Sequence, residues 1–161
     1  MIVPIELHDL LVERLETLFG NYYLGNDNDE KRVQVYPQHI PHKTEEDDET
    51  IFPHILVKME MGEMKGAGSD NLCGVYFIIA TCDMNVDQQG YRDCVNIMNK
   101  IFHSLTTRPI LGGKYRFSGD AKWELASFED EETTYPYYFG GIETTWEAPQ
   151  IRESEEARNL V

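Results

Sequence analysis

The sequence predicts an α+β fold in two layers, a mostly antiparallel sheet of about five strands with two helices packed on one face, in the order α-β-β-β-α-β-β. Three observations lead there. Two segments repeat apolar residues at helical spacing. The strand-sized segments between and after them mostly alternate apolar and polar residues, as half-buried strands do. Each helical segment is apolar on a single stripe, so both must lie against the sheet.

Residues 5–19 form the first helix by this reading. Leu7, Leu10, Leu11, Leu15 and Leu18 share one face, Pro4 suits the first turn, and Gly20 stops it. Residues 32–36 are a short strand with Val33 and Val35 on one side, and 37–50 a loop. The second strand, 53–61, puts Ile55, Val57, Met59 and Met61 inward and His54, Lys58 and Glu60 in water. The stretch 62–71, GEMKGAGSDN, has three glycines and reads as a mobile hairpin arm. The third strand, 72–82, is apolar on both faces and therefore central.

The second helix spans 88–107, with Asp87 as N-cap. Tyr91, Cys94, Val95, Met98, Ile101, Phe102 and Leu105 form its apolar face. In the strand 114–128, Tyr115, Phe117, Ala121, Trp123 and Leu125 point one way; Lys114, Arg116, Ser118, Asp120, Lys122 and Glu124 point the other. An acidic turn, 129–134, leads to the last strand, 137–147, with Ile142, Thr144 and Trp146 on one face. No repeat or linker divides residues 1–150, which read as one domain; 151–161 is a charged tail.

The chain has 161 residues, with 29 acidic against 14 basic ones, for a formal charge of −15. That balance disfavours binding to a phosphate backbone or an anionic membrane, both of which need clustered Lys and Arg. The longest apolar run, Val75–Thr81, is strand-sized, far short of the roughly 20 residues of a membrane-spanning helix. The opening Met1–Glu6 has neither the basic nor the long apolar region of a signal peptide. Cys73, Cys82 and Cys94 are odd in number and lack CxxC spacing, so they read as buried thiols of a reducing compartment.

Motifs that carry chemistry are weak. Gly112-Gly113-Lys114 lacks the frame of a phosphate loop, and no GxSxG elbow occurs. His39 and His42 sit in a proline-containing loop and read as exposed histidines rather than zinc ligands. Asp120-x-Lys122 with Glu124, and Glu63-x-Lys65, match the acid-x-Lys pattern of Mg²⁺-dependent nucleases. A solvated strand face produces the same pattern, and no basic patch flanks it. The reading is therefore of a protein that is not an enzyme, with no catalytic, cofactor-binding or metal site. The run Glu45-Glu46-Asp47-Asp48-Glu49 is a solvated loop, an acidic surface that repels DNA, or a docking patch for a basic partner. Tyr135-Pro136-Tyr137-Tyr138-Phe139-Gly140-Gly141 is strand packing or a subunit contact.

Four stretches carry a resemblance when taken together: Val35–Pro41, Phe52–Val57, Asp87–Met98 and Tyr135–Trp146. In this order and spacing, over about residues 5–150, the chain resembles the tail terminator (head–tail joining) neck proteins of long-tailed bacteriophages and prophages. The resemblance implies a small α+β virion protein, assembled in the host cytoplasm, that caps the tail tube as a homo-oligomeric ring, expected to be a hexamer. Its implied partners are other copies of itself, the major tail tube protein and the head-completion or connector proteins. DNA would pass through the ring without sequence-specific binding, and an acidic lumen would let it slide.

On this reading the subunit or partner contacts fall at Gly62, Lys65, Gly66 and Gly68 of the arm and at Tyr135, Tyr137, Tyr138 and Phe139. The acidic surface or lumen falls at Glu45, Glu46, Asp47, Asp48 and Glu49. Alternatives are another head–tail adaptor or minor tail protein and, from a different class, an acidic binding module that mimics DNA.

Overall fold

The computed structural model describes residues 3–25, 30–41, 51–66, 69–126 and 135–149. The α+β class holds, with more strands than expected. The elements are α1 (Ile5–Leu18), β1 (Tyr23–Leu24), β2 (Lys31–Arg32), β3 (Gln34–Pro37), β4 (His54–Met64), β5 (Asn71–Cys82), α2 (Tyr91–Thr107), β6 (Ile110–Leu111), β7 (Tyr115–Leu125) and β8 (Tyr137–Ala148). Six strands form one sheet in the order β3-β4-β5-β8-β7-β6, while β1 and β2 make a separate two-stranded ribbon. Every pair in the large sheet is antiparallel except β3 with β4, which is parallel.

The core lies between one face of this sheet and the two helices. Leu7, Leu11 and Leu15 of α1 and Cys94, Ile97, Met98, Ile101 and Leu105 of α2 are buried against Ile55, Val57, Val75, Phe77, Ile79, Ile142 and Trp146. Helix α2 contacts β5, β7 and β8, whereas α1 contacts β3, β4 and β6. The first and last strands of the sheet thus reach the same helix, so the sheet curls towards α1, as twisted sheets do at one pair of diagonal corners. One polar side chain is fully integrated in this core. Thr144 Oγ1 donates to the Val75 carbonyl at 2.7 Å and accepts from Trp146 Nε1 at 3.0 Å. Both hydroxyl functions are satisfied, so the group is buried without a desolvation penalty.

Several expectations need correction. Helix α2 begins three residues later than the pattern suggests. The Asp87 carboxylate accepts from the Gln89 N–H at 3.2 Å in a local turn, and Gln88 has φ of 55°, which no helix continues through. Gly90 occupies the N-cap position, without a side-chain cap.

Met61 is not inward but 72% exposed. Met59 pairs with Val75 and Met61 with Gly74, so Glu60 is the extra residue of a bulge that turns Met61 to the other face. His54, expected in water, is 3% exposed, stacked beside the Phe52 ring at 5.0 Å and the Tyr36 ring at 6.0 Å. Cys73 and Cys94 are buried, but Cys82, at the end of β5, is exposed. Trp123 lies on the helix side of β7, as the alternation requires, yet is 64% exposed, at a stretch of β7 that no outer strand flanks among the described residues.

Candidate functional site

The contact residues read from the sequence fall at opposite ends of the sheet. Gly62 pairs with Cys73 on β5 and Tyr137 pairs with Cys82, nine positions further along. At about 3.3 Å per residue the two groups are about 30 Å apart. They do not form one site within the chain.

At the first end, pairing continues to Met64 opposite Asn71. The arm expected over 62–71 is therefore a hairpin whose flanks belong to the ladder. Gly62 and Lys65 are exposed there, and Gly66 has φ of 131° in the turn. Gly68 lies outside the described residues, as do Glu45, Glu46, Asp47, Asp48 and Glu49, His42, the acidic turn 129–132 and the tail 151–161.

At the other end, alternation splits the aromatic segment. Tyr137 and Phe139 face away from the helices. Tyr138 faces α2, where its ring stands so close to Gly90 that no side chain fits at that position. The Tyr135 hydroxyl donates to the Met84 carbonyl, and the Asp83 N–H donates to the Pro136 carbonyl at 2.8 Å. Phe52 and Tyr137 rings meet at 4.8 Å. These contacts rim a cleft of about 650 Å³ lined by Tyr23, Lys31, Phe52, Asp83, Asp93 and Tyr137, among others. Burial, and then the Asp83 charge, hold the Asp93 carboxyl above the usual carboxylate range.

The exposed Cys82 thiol lines this cleft. The Cys94 thiol behind it is buried, and burial pushes its pKa up to about 11 despite the Thr81 hydroxyl at 3.3 Å. A thiol so protonated at neutral pH is a poor nucleophile. Among the described residues, no group of three or more His, Cys, Asp or Glu side chains is placed to hold a metal ion. Lys122 and Glu124 share the outer face of β7. Lys122 lies opposite Glu143, and Arg116 opposite Glu147, so this face pairs its charges across strands. Asp120 stands in the irregular stretch between Phe117 and Ala121, where its N–H donates to Ser118 Oγ.

The more informative feature is the position of two unpaired strand edges, which the sequence alone does not locate. On the outer side of β4, the short β3 covers only residues 54–57. Gln38 closes one more position, and from Glu60 to Met64 no strand lies alongside among the described residues. On the outer side of β7, β6 covers only Tyr115 and Arg116. The Pro109 carbonyl accepts from the Phe117 N–H at 2.8 Å, and the remainder to Leu125 has no outer strand among the described residues. Such edges are templates for pairing with another chain unless something blunts them. No helix among the described residues is long and apolar enough to cross a membrane. No protein-family model and no curated protein sequence matches the chain.

Proposed function

We propose that this chain is a non-enzymatic structural subunit of the junction between head and tail in a long-tailed phage or prophage, acting as a tail terminator. It caps the tail tube as a ring of identical copies and presents the surface on which the filled head docks. The observation that carries this reading is the pair of open edges at the two sides of one sheet. A cyclic ring needs two different surfaces per subunit that complement each other, and such edges are suitable ones. The four stretches that resemble the terminator family support the same conclusion.

The charge distribution is also compatible. Segments 26–29, 42–50, 127–134 and 150–161 hold 14 of the 29 acidic residues but only 3 of the 14 basic ones. The sheet-and-helix body is therefore nearly balanced, and copies can approach through it without the repulsion that −15 suggests. Acidic segments beside passing DNA would repel phosphate and keep it from sticking.

The test is electron microscopy of particles from the phage or prophage with this gene deleted. Tails of irregular length beside unattached filled heads are expected. Normal tails beside loose heads would assign an adaptor role instead. Intact virions would overturn the structural reading and favour the acidic mimic, which competition against a DNA-binding protein then tests.

A further inference from the structure

We propose that the two open edges are the two halves of a single contact between copies of this chain: Glu60–Met64 of one copy pairs antiparallel with Ala121–Leu125 of the next, with Gly62 opposite Trp123. This deepens the proposed function and rests on it only for the claim that the assembly closes into a ring.

Strand direction permits the contact. Between the open edges lie β4, β5, β8 and β7, each antiparallel to its neighbour. β4 and β7 therefore run in opposite directions. When copies repeat head to tail in the same orientation, β4 of one meets β7 of the next as an antiparallel pair, the more stable ladder. The open stretch of β4 is five residues long, as is the regular part of the β7 edge beyond its irregular turn, Ala121–Leu125.

The facing side chains fit in this register. Gly62 pairs with Cys73, and Trp123 with Ile142, which pairs with Phe77, so Gly62 and Trp123 belong to the same face of the sheet. Beside Gly62 on that face is a cleft of about 210 Å³ lined by Val3, Pro4, Met59, Gly62, Asn71 and Cys73, among others. Cavities of about 150 Å³ admit a benzene ring, so this one has room for an indole. Trp123 is 64% exposed in the single chain, and an aromatic ring over an edge glycine is a recurrent way to cover it.

A second, independent observation points to the same occupant. Asn71, at 7% exposure, has its Oδ1 buried without a hydrogen-bond partner among the described residues. The indole N–H of an incoming Trp is a donor that seeks an acceptor when buried. On the opposite face the register places Glu63 across from Lys122, an opposite-charge cross-strand pair. Pairing β4 with β4 about Gly62 instead would set Glu63 against Met61 and leave both Trp123 and the cleft uncovered.

The stagger suits closure. Trp123 is level with Val57 in its own sheet, but with Gly62 of the neighbouring copy, four ladder steps away along β5. That is about 13 Å of rise over about 19 Å of sheet width, a strand tilt of about 35°, within the range of closed β-barrels.

The experiment uses the full chain with Cys82→Ser and either Glu63→Cys or Lys122→Cys, under mild oxidation at 0.5 M salt. The expected result is covalent dimer in the mixture, little from either variant alone, and a ladder from a chain carrying both cysteines. Adding Trp123→Ala is expected to slow cross-linking in the mixture at least about tenfold, as loss of an interface Trp anchor does. Dimer from one variant alone at the same rate as in the mixture would overturn the contact in favour of a two-fold one. No cross-link in the mixture would overturn it outright, and an unchanged rate with Trp123→Ala would remove the anchor. Failure here combined with irregular tails in the deletion leaves the terminator role standing with another contact. A ladder combined with intact virions leaves the contact standing without that role.

Discussion

Gln38 behaves as a strand residue through its side chain: its Nε2 donates to the Met59 carbonyl and its Oε1 accepts from the Met59 N–H, both at 2.9 Å. Its own N–H donates to the Val57 carbonyl at 2.8 Å. With φ at 65° the backbone turns away from β4, and the amide alone carries the pairing one step further. Gln38→Ala removes both side-chain bonds at a half-buried position. We expect a loss of about 1–3 kcal/mol, at about 1 kcal/mol per bond plus the cost of unpaired groups. Urea unfolding measures it; a loss under 0.5 kcal/mol would mean that water replaces the amide without penalty.

His54 makes stability depend on pH. Its ring is buried beside Phe52 and Tyr36, and burial lowers its pKa below the ordinary histidine value, only partly opposed by the bond to the Ile51 carbonyl. The unfolded chain therefore takes up a proton near pH 6.5 that the folded chain still refuses. Stability is full above pH 6.5 and falls as pH drops from there to the native pKa, below which this contribution levels off. Replacing His54 with Phe should flatten that part of the profile. Urea midpoints at pH 7.5 and 5.5 check it, and an equal pH dependence in both proteins would assign the slope to another group.

The elements that were legible in the sequence are those whose burial follows from their own periodicity. Leu7, Leu11 and Leu15 occupy one helical stripe, and Ile55 and Val57 alternate regularly; each lies in the core. What was not legible depends on partners distant in sequence. The Glu60 bulge arises from pairing with β5, and it moves Met61 out. His54 looked wet because its neighbours in β4 alternate, but Phe52 and Tyr36 cover it. The parallel β3–β4 pair and the brief β6 have no signature in runs of two to four residues. The candidate contacts were half legible. The glycine-rich hairpin was visible as punctuation, whereas the role of Trp123 was hidden, because an apolar residue on an apolar strand face reads as core.

Gly90 and Tyr138 form a steric pair. A Cβ at Gly90 would overlap the Tyr138 ring and approach Asp83 Cβ to 2.7 Å. Gly90→Ala is therefore expected to destabilise by about 1–3 kcal/mol, the usual cost of overpacking. Ala is also a poorer N-cap than Gly, so part of the loss, up to about 1 kcal/mol, comes from the cap and the rest from the clash. Combining it with Tyr138→Ala should recover part of the loss, a coupling of at least about 0.5 kcal/mol in a double-mutant cycle. Strict additivity would show that the helix start shifts away from the ring instead.

The three thiols should separate cleanly by alkylation. Cys82 is exposed at the end of β5, while Cys73 and Cys94 are buried. Burial raises the pKa of both buried thiols, that of Cys94 to about 11. Reaction requires thiolate and access together, and the two inner cysteines have neither at neutral pH. Iodoacetamide at pH 8 should add one group rapidly, at Cys82, and two more only in denaturant, as read by intact mass and peptide mapping. Rapid labelling of Cys94 in the native protein would have a specific meaning. Cys94 lies between Thr81 and the Tyr138 carbonyl, so its exposure would report that β8 parts from α2 at the aromatic end, the same region that Gly90→Ala perturbs.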